Sequence, residues 1–390
     1  MKIEKNIHLA YCTNVHRGST WEETFYALEK YVLEVKKIVC PEKPFAIGLR
    51  LGAQAATSLS HPSTLLLFQK WLEEKNCYVF TINGFPYGNF HGERVKEQVY
   101  RPDWSTSDRL EYTVLLFEIL EKLLQPGEEG SVSTLPGSFK EFHSAGEIPK
   151  LVFQNLYTCA REIERIKKAK DLDLHLGLEP EPLGSFETTE ETISFFEDLE
   201  KFDHNPSIKQ TIGVNYDCCH LAVEFEDAGK GLTQLQNANI RLSKLHLSSA
   251  LRALPTEENL KLLESFVEEV YLHQVVIGKN GKIINRYRDL DQALEEKNIT
   301  GNEIGDEWRI HFHVPLHASP EGELKDTKNH VLSTIEWLSK NDQACRHLEM
   351  ETYTWEVLPK ELQSIDVVEQ VAKEYEWTLK ILGAKGLANQ

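Results

Sequence analysis

Apolar residues along the chain follow two alternating patterns: short runs suited to strands, and longer stretches whose apolar positions recur three and four apart. Strand-like runs fall at 8–16, 45–52, 77–86, 131–137, 174–182, 211–220, 240–249 and 345–354, with helical segments between most of them. In the first helical segment Trp21, Phe25, Leu28, Val32 and Val35 are spaced 4, 3, 4 and 3, which puts them on one face. Ser19 or Thr20 can cap it, with Glu22 or Glu23 completing a capping box. Thr188 and Glu191 repeat that signature before Ile193, Phe196 and Leu199. Eight βα units predict an α/β protein built as a (β/α)8 TIM barrel. A doubly wound sheet fits less well, because no Gly-rich phosphate turn follows the first strand.

The repeat is interrupted between its seventh and eighth strands. A ninth strand-like run, WRIHFHVPL, occupies 308–316, and 271–290 reads as a β-hairpin turning at Asn280-Gly281, the pair a type I′ turn favours. No low-complexity linker divides the chain. The expectation is one domain over 1–390, with residues 252–315 inserted at the C-terminal face of the barrel as a lid.

Charge narrows the partners. Against 43 Lys+Arg stand 61 Asp+Glu, a formal net charge of −18, which disfavours a nucleic-acid partner. Apolar runs such as TVLLFEILEKLL (113–124) are too short and too interrupted by charge to span a membrane. The start, MKIEKNIHLA, lacks the apolar stretch of a signal peptide. Seven cysteines with no CxxC spacing fit a reducing compartment, so a cytoplasmic location is expected.

Polar residues at the ends of the later strands carry the candidate chemistry. Strand five ends Leu178-Glu179-Pro180-Glu181-Pro182, its two carboxylates facing one way. Strand six ends Asp217-Cys218-Cys219-His220, and strand seven carries Lys244, His246 and Ser248 on one face. The insertion offers His311 and His313, and strand eight offers Glu349 and Glu351. Barrel closure converges four consecutive strand ends on one point, and carboxylates with an imidazole suit one divalent cation: Mn²⁺, Mg²⁺, Co²⁺ or Zn²⁺. Strand parity permits either member of Glu179/Glu181 and of Glu349/Glu351 as ligand. Cys218 and Cys219 read as packing residues, Tyr353 and Trp355 as core, and Lys244 as an ion-paired rather than a Schiff-base lysine. Asn83-Gly84-Phe85-Pro86-Tyr87 ends strand three with groups suited to a sugar-sized ligand, and Asn14 and His16 end strand one at the same mouth.

The order LE, DxxH, H and ET over strands five to eight resembles the xylose-isomerase-like TIM-barrel superfamily, which includes sugar isomerases, ketose 3-epimerases and the endonuclease IV type of repair nuclease. The epimerase branch implies metal ligands at Glu179, Asp217, His246 and Glu351, and substrate contacts from His220 and from Arg252, six residues after His246. The nuclease branch implies a further Asp-x-His after strand seven, where this chain has His311-Phe312-His313, and histidines where it has Arg50 and Asn83. The segments CTNVHRGSTWEE, IGLRLGAQAA, TINGFPYGNFHGERVKEQVYRPDW, LPGSF, LEPEPLGSF, YDCCHLAVEFED, HFHVPLH and METYTWEVLP are similar to the EboE family. That resemblance implies a barrel protein of a bacterial gene cluster linked to metabolite traffic and natural-product export, with other proteins of the cluster as partners.

The expected activity is isomerisation or epimerisation of a sugar, sugar phosphate or cyclitol-like compound. Glu179 and Glu351 act as base and acid, and His220, Arg252, Asn83, His313 and Lys244 bind substrate. The alternatives are a multinuclear hydrolase, with a second metal on His220, His311, His313 and Glu181, and a non-catalytic metabolite-binding barrel.

Overall fold

The computed structural model describes residues 1–88, 96–143, 147–205, 208–297, 303–318, 323–354 and 365–389. Eight parallel strands form the central sheet: β1 (His8–Tyr11), β2 (Phe45–Arg50), β3 (Cys77–Asn83), β4 (Glu129–Thr134), β5 (Asp173–Leu178), β6 (Ile212–Asp217), β7 (Leu242–Leu247) and β13 (His347–Met350). They run in the order β1-β13-β7-β6-β5-β4-β3-β2, and a parallel bridge from Cys12 to Gly48 brings the two outer edges together. Helices cover the outside, so β2, β6, β7 and β13 are buried along their whole length. The fold is a (β/α)8 TIM barrel. No helix among the described residues is long and apolar enough to cross a membrane.

Local signals act where the pattern places them. Thr20 caps the helix Trp21–Ala27 and Glu23 closes the capping box. Thr188 caps Thr189–Asp203 through the Glu191 amide, but the Glu191 carboxylate reaches one residue further back, to the Glu187 amide. Strand one is shorter than its apolar run, because Thr13–Val15 turns as a 3₁₀ helix.

Barrel interiors are usually filled by branched apolar side chains; this one holds a charged network. Lys244 Nζ donates to Glu349 Oε2 (2.7 Å), Asn83 Oδ1 (2.7 Å) and Ser133 Oγ (3.0 Å), and Asn83 Nδ2 donates to Glu349 Oε1 (2.9 Å). All three ammonium protons are thereby satisfied, the condition on which a buried ion pair is tolerated. Gly48 makes room for it: a Cβ there would lie 1.7 Å from Glu349 Oε1.

Between β7 and β13 the chain builds a second, antiparallel sheet of five strands: β8 (Ala250–Ala253), β9 (Val275–Lys279), β10 (Lys282–Tyr287), β11 (Glu307–His313) and β12 (Lys325–Asp326), in the order β10-β9-β11-β8-β12. Strands β9 and β10 pair across Asn280-Gly281, whose φ values of 52° and 72° are those a type I′ turn needs. The run at 308–316 is β11, which pairs with β8 and β9 and stands outside the barrel. The insertion is thus more than a hairpin. It starts at Ala250 and has its own apolar core, including Leu251, Phe266, Ile277, Trp308 and Phe312.

Candidate metal centre

At the C-terminal mouth, Glu179, Asp217, His246 and Glu351 each present a ligand atom, all within 4.8 Å of one another and all buried. They follow or end β5, β6, β7 and β13, four consecutive strands of the sheet. His246 is the hub. Its Nδ1 lies 3.1 Å from Glu179 Oε1, 3.4 Å from Asp217 Oδ2 and 3.0 Å from Glu351 Oε2. Its Nε2 lies 2.9 Å from Glu349 Oε2. Two-residue alternation therefore separates the roles left open by parity: Glu351 joins the cluster, and Glu349 sits one layer deeper on the other side of the imidazole. Ser248 Oγ donates to Asp217 Oδ1 (2.7 Å) and takes the Cys219 amide (2.9 Å), while Asn14 Nδ2 donates to Glu351 Oε1 (2.6 Å).

Burial would push the Asp217 carboxyl up, but the His220 and His246 imidazoles hold it well below the usual carboxylate range. Burial alone would lower His246; the carboxylates of Glu351, Glu179 and Asp217 raise it well above an ordinary histidine. Glu349 resists the upward pull of burial because Lys244 and His246 hold it at about 2.

A second group of rings lies beside the first. His220, His311 and His313 have ring centroids 4.5 to 5.8 Å apart. Each Nδ1 faces a carbonyl oxygen: His220 that of Pro180 (3.1 Å), His311 the Gln274 side-chain amide (2.8 Å), His313 that of Glu351 (2.9 Å). A carbonyl only accepts, so each ring carries a proton on Nδ1, and in His311 and His313, which burial keeps neutral, Nε2 is left as a bare lone pair. Nε2 of His311 and of His313 is buried without a hydrogen-bond partner, as is Glu181 Oε1. Glu181, His220 and His311 present ligand atoms within 4.8 Å of one another, as do Asp217, His220 and His313. Burial, helped by the neighbouring Glu179 charge, pushes the Glu181 carboxyl up to about 8. Cys219 also approaches His311 and His313, but burial drives its thiol far above the ordinary range and favours a packing role.

Three expected substrate contacts stand in different surroundings. Lys244 is fully buried inside the barrel, with its three donors on Glu349, Asn83 and Ser133. Arg252 lies on β8 opposite Arg309 and Lys325, with Glu307 Oε2 3.5 Å from its Nε, and does not line the central cavity. Asn83 lines the cavity, but its amide is held by Glu349, Ser133 and Lys244. Phe85 and Pro86 line the cavity too, and Tyr353, read from sequence as core, is one of its walls. Trp355 lies outside the described residues. Sequence reasoning missed Tyr100, Tyr271 and Gln274. None belongs to a barrel strand, so no periodicity marks them; Gln274, beside the start of β9, offers a polar residue against an apolar run as its only signal.

No protein-family model matches the chain, and no curated protein matches its sequence. Solved structures do. A crystal structure of IOLI protein with a bound zinc atom aligns over 97% of this chain and 99% of its own at 11% identity, TM-score 0.50. A xylose isomerase-like TIM barrel protein from Mycobacterium smegmatis in complex with magnesium covers 97% of each chain at 10% identity, TM-score 0.51. A D-tagatose 3-epimerase-like protein covers 97% of this chain at 13% identity, TM-score 0.48. At these identities the likeness is one of fold.

Proposed function

We propose that the chain is a divalent-metal-dependent isomerase or epimerase acting on a sugar, sugar phosphate or cyclitol-like metabolite. The observation that carries this reading is the convergence of three carboxylate oxygens on His246 Nδ1 while Glu349 takes the proton of Nε2. A metal-bound histidine has its far nitrogen held by a carboxylate in the same way. Separations of 3.0 to 3.4 Å bring the three oxygens and the ring nitrogen within reach of one shared ion. Glu179, Asp217, His246 and Glu351 would hold a divalent ion, which would supply Lewis acidity to neighbouring oxygens of a hydroxy-ketone or hydroxy-aldehyde.

The chain's own residues supply the rest. Glu179 and Glu351, three strand positions apart, approach a ligand from two sides, one removing a carbon-bound proton and the other returning it. Asn14 fixes the Glu351 carboxylate, and Tyr100, Tyr271 and Tyr353 wall the cavity against water. The insertion, which contributes Tyr271, Gln274 and His311 to that wall, acts as the lid. The resemblance to the EboE family puts such a reaction in metabolite traffic, alongside other proteins of the same gene cluster.

The test is proton exchange. Metal-loaded protein in D₂O is expected to place deuterium on a carbon next to the carbonyl of at least one compound in a panel of ketoses, aldoses, their phosphates and inosose-type ketones, read by NMR. An anomalous map of Mn²⁺-soaked crystals is expected to show the ion at Glu179, Asp217, His246 and Glu351. A mouth without metal, or a loaded protein that exchanges no carbon-bound proton across the panel, would overturn the reading.

The bare Nε2 atoms of His311 and His313 favour a second reading, a two-metal hydrolase with a second ion on His220, His311, His313 or Glu181. Two ions at the mouth and turnover of a phosphate or carboxylic ester without carbon–deuterium exchange would select it.

A further inference from the structure

The opposite end of the barrel holds a cluster that the mouth does not use. Glu129 begins β4, His175 lies near the start of β5 and His347 begins β13. Their side chains meet in the barrel floor and present ligand atoms within 4.8 Å of one another. His347 and Glu351 are four residues apart, roughly 13 Å along an extended chain at ~3.3 Å per residue, so the floor is separate from the mouth. In the sheet order, β13 and β4 are four positions apart among eight, on opposite walls of the barrel.

The hydrogen bonds prepare these groups as ligands. Ser131 Oγ donates to Thr81 Oγ1 (2.8 Å), so it accepts the proton of His347 Nδ1 (2.8 Å). His347 Nε2 is left as a lone pair, fully buried and without a hydrogen-bond partner. The His175 ring is also fully buried, with Nδ1 unpartnered and Nε2 hydrogen-bonded to Glu129 Oε1 (3.1 Å). A floor built for packing alone would not leave His347 Nε2 and His175 Nδ1 buried without partners. Burial keeps both rings neutral, the form that binds metal. Arg241 fixes Glu129 Oε1 from behind (2.9 Å), and its charge is already matched by two bonds to Asp173 (2.8 and 2.6 Å). Two surface clefts, one lined by Asp173 and Arg241 and the other by His8 and Tyr78, both reach Glu129 and give an ion a way in.

We infer that Glu129, His175 and His347 form a second divalent-metal site, of the two-histidine, one-carboxylate kind that suits Zn²⁺, with water as a further ligand. It acts as a strut between opposite barrel walls and not as a second reaction centre. The inference does not rest on the proposed reaction at the mouth.

Metal content of mouth and floor variants tests it, with Co²⁺ as the probe. The full chain carrying Glu179→Gln and Glu351→Gln is expected to bind one more Co²⁺ than the same chain with His347→Gln added, and the lost ion to take intense four-coordinate visible bands with it. Zn²⁺ is expected to raise the melting temperature of the first variant and to leave the second unmoved. Equal Co²⁺ content in the two would overturn the site. Where His347→Gln does not fold, an anomalous map of the unaltered chain soaked in ZnCl₂ decides: density between Glu129, His175 and His347 supports the strut, and none there refutes it. A failed proton-exchange test at the mouth leaves every one of these readouts unchanged.

Discussion

His246 makes opposite demands on its two neighbours on β13 and just beyond it. Glu351 faces Nδ1, the nitrogen turned to the carboxylate cluster, and Glu349 accepts from Nε2 while also neutralising Lys244. Removing Lys244 alone leaves Glu349 charged and underpaired in the barrel interior, so Lys244→Met is expected to cost about 3–5 kcal/mol in urea denaturation. Lys244→Met with Glu349→Gln removes both charges and is expected to recover most of that loss. The double variant should still bind metal at the mouth about 10–100 times more weakly, because a neutral amide holds the far side of the imidazole less firmly than a carboxylate. A double variant no more stable than the single, or one with unaltered metal affinity, would remove Glu349 from both roles. Sequence parity could show that Glu349 and Glu351 share a face. Which of them meets the metal depends on depth along the barrel axis, set by the β6–β7 and β7–β13 registers that pair Asp217 and Glu349 each with His246.

Among elements, the insertion shows best which parts of a fold are local. The β9–β10 pair was legible because its information sits in adjacent residues: two strand-forming runs around an Asn-Gly turn. Strand β8 was not, since ALRA has no alternation of its own and becomes a strand by pairing with β11 and β12, about sixty and seventy-five residues on. The eight barrel strands were readable from their apolar runs, yet the charged floor and interior were not, because residues such as His175 and His347 look like interruptions until closure brings them together. Arg286 on β10 ties this sheet back to the barrel, with Nη2 2.6 Å from Glu224 Oε2 and Nε 3.6 Å from Glu187 Oε2. Both acids are buried, and burial with their mutual repulsion pushes Glu224 up to about 8. Arg286→Ala is therefore expected to loosen β9 and β10 against the barrel, raising amide hydrogen exchange there about tenfold or more while β5 and β6 stay protected. Unchanged exchange in β9 and β10 would show that the insertion's apolar core alone holds it in place.

On the scale of the whole molecule, three segments distant in sequence are gathered at one carboxyl. Glu374, on the helix Val367–Ala384, accepts the Leu316 amide (2.9 Å), just beyond β11, and the Thr352 hydroxyl (2.8 Å), just beyond β13. One side chain thus joins the segment after β11, the segment after β13 and the C-terminal helix. Burial outweighs these two hydrogen bonds and pushes its pKa up to about 7 from an ordinary 4.5. The folded state therefore binds one more proton than the unfolded state between those values. Stability from Glu374 is fully present below about pH 4.5 and is lost as pH rises through about 7. Glu374→Gln keeps an acceptor for both donors and cannot ionise, so this share of the pH dependence should vanish. Many other carboxylates and histidines titrate over the same range, so the decisive quantity is the difference between the two proteins in urea denaturation at a series of pH values from 5 to 8. The variant is expected to gain on the unaltered chain with each step toward pH 7, by a total on the order of 3 kcal/mol, and then to hold a constant margin. A pH-independent difference would mean that Glu374 is already ionised at pH 5, with the junction held by an anion and not by a neutral acid.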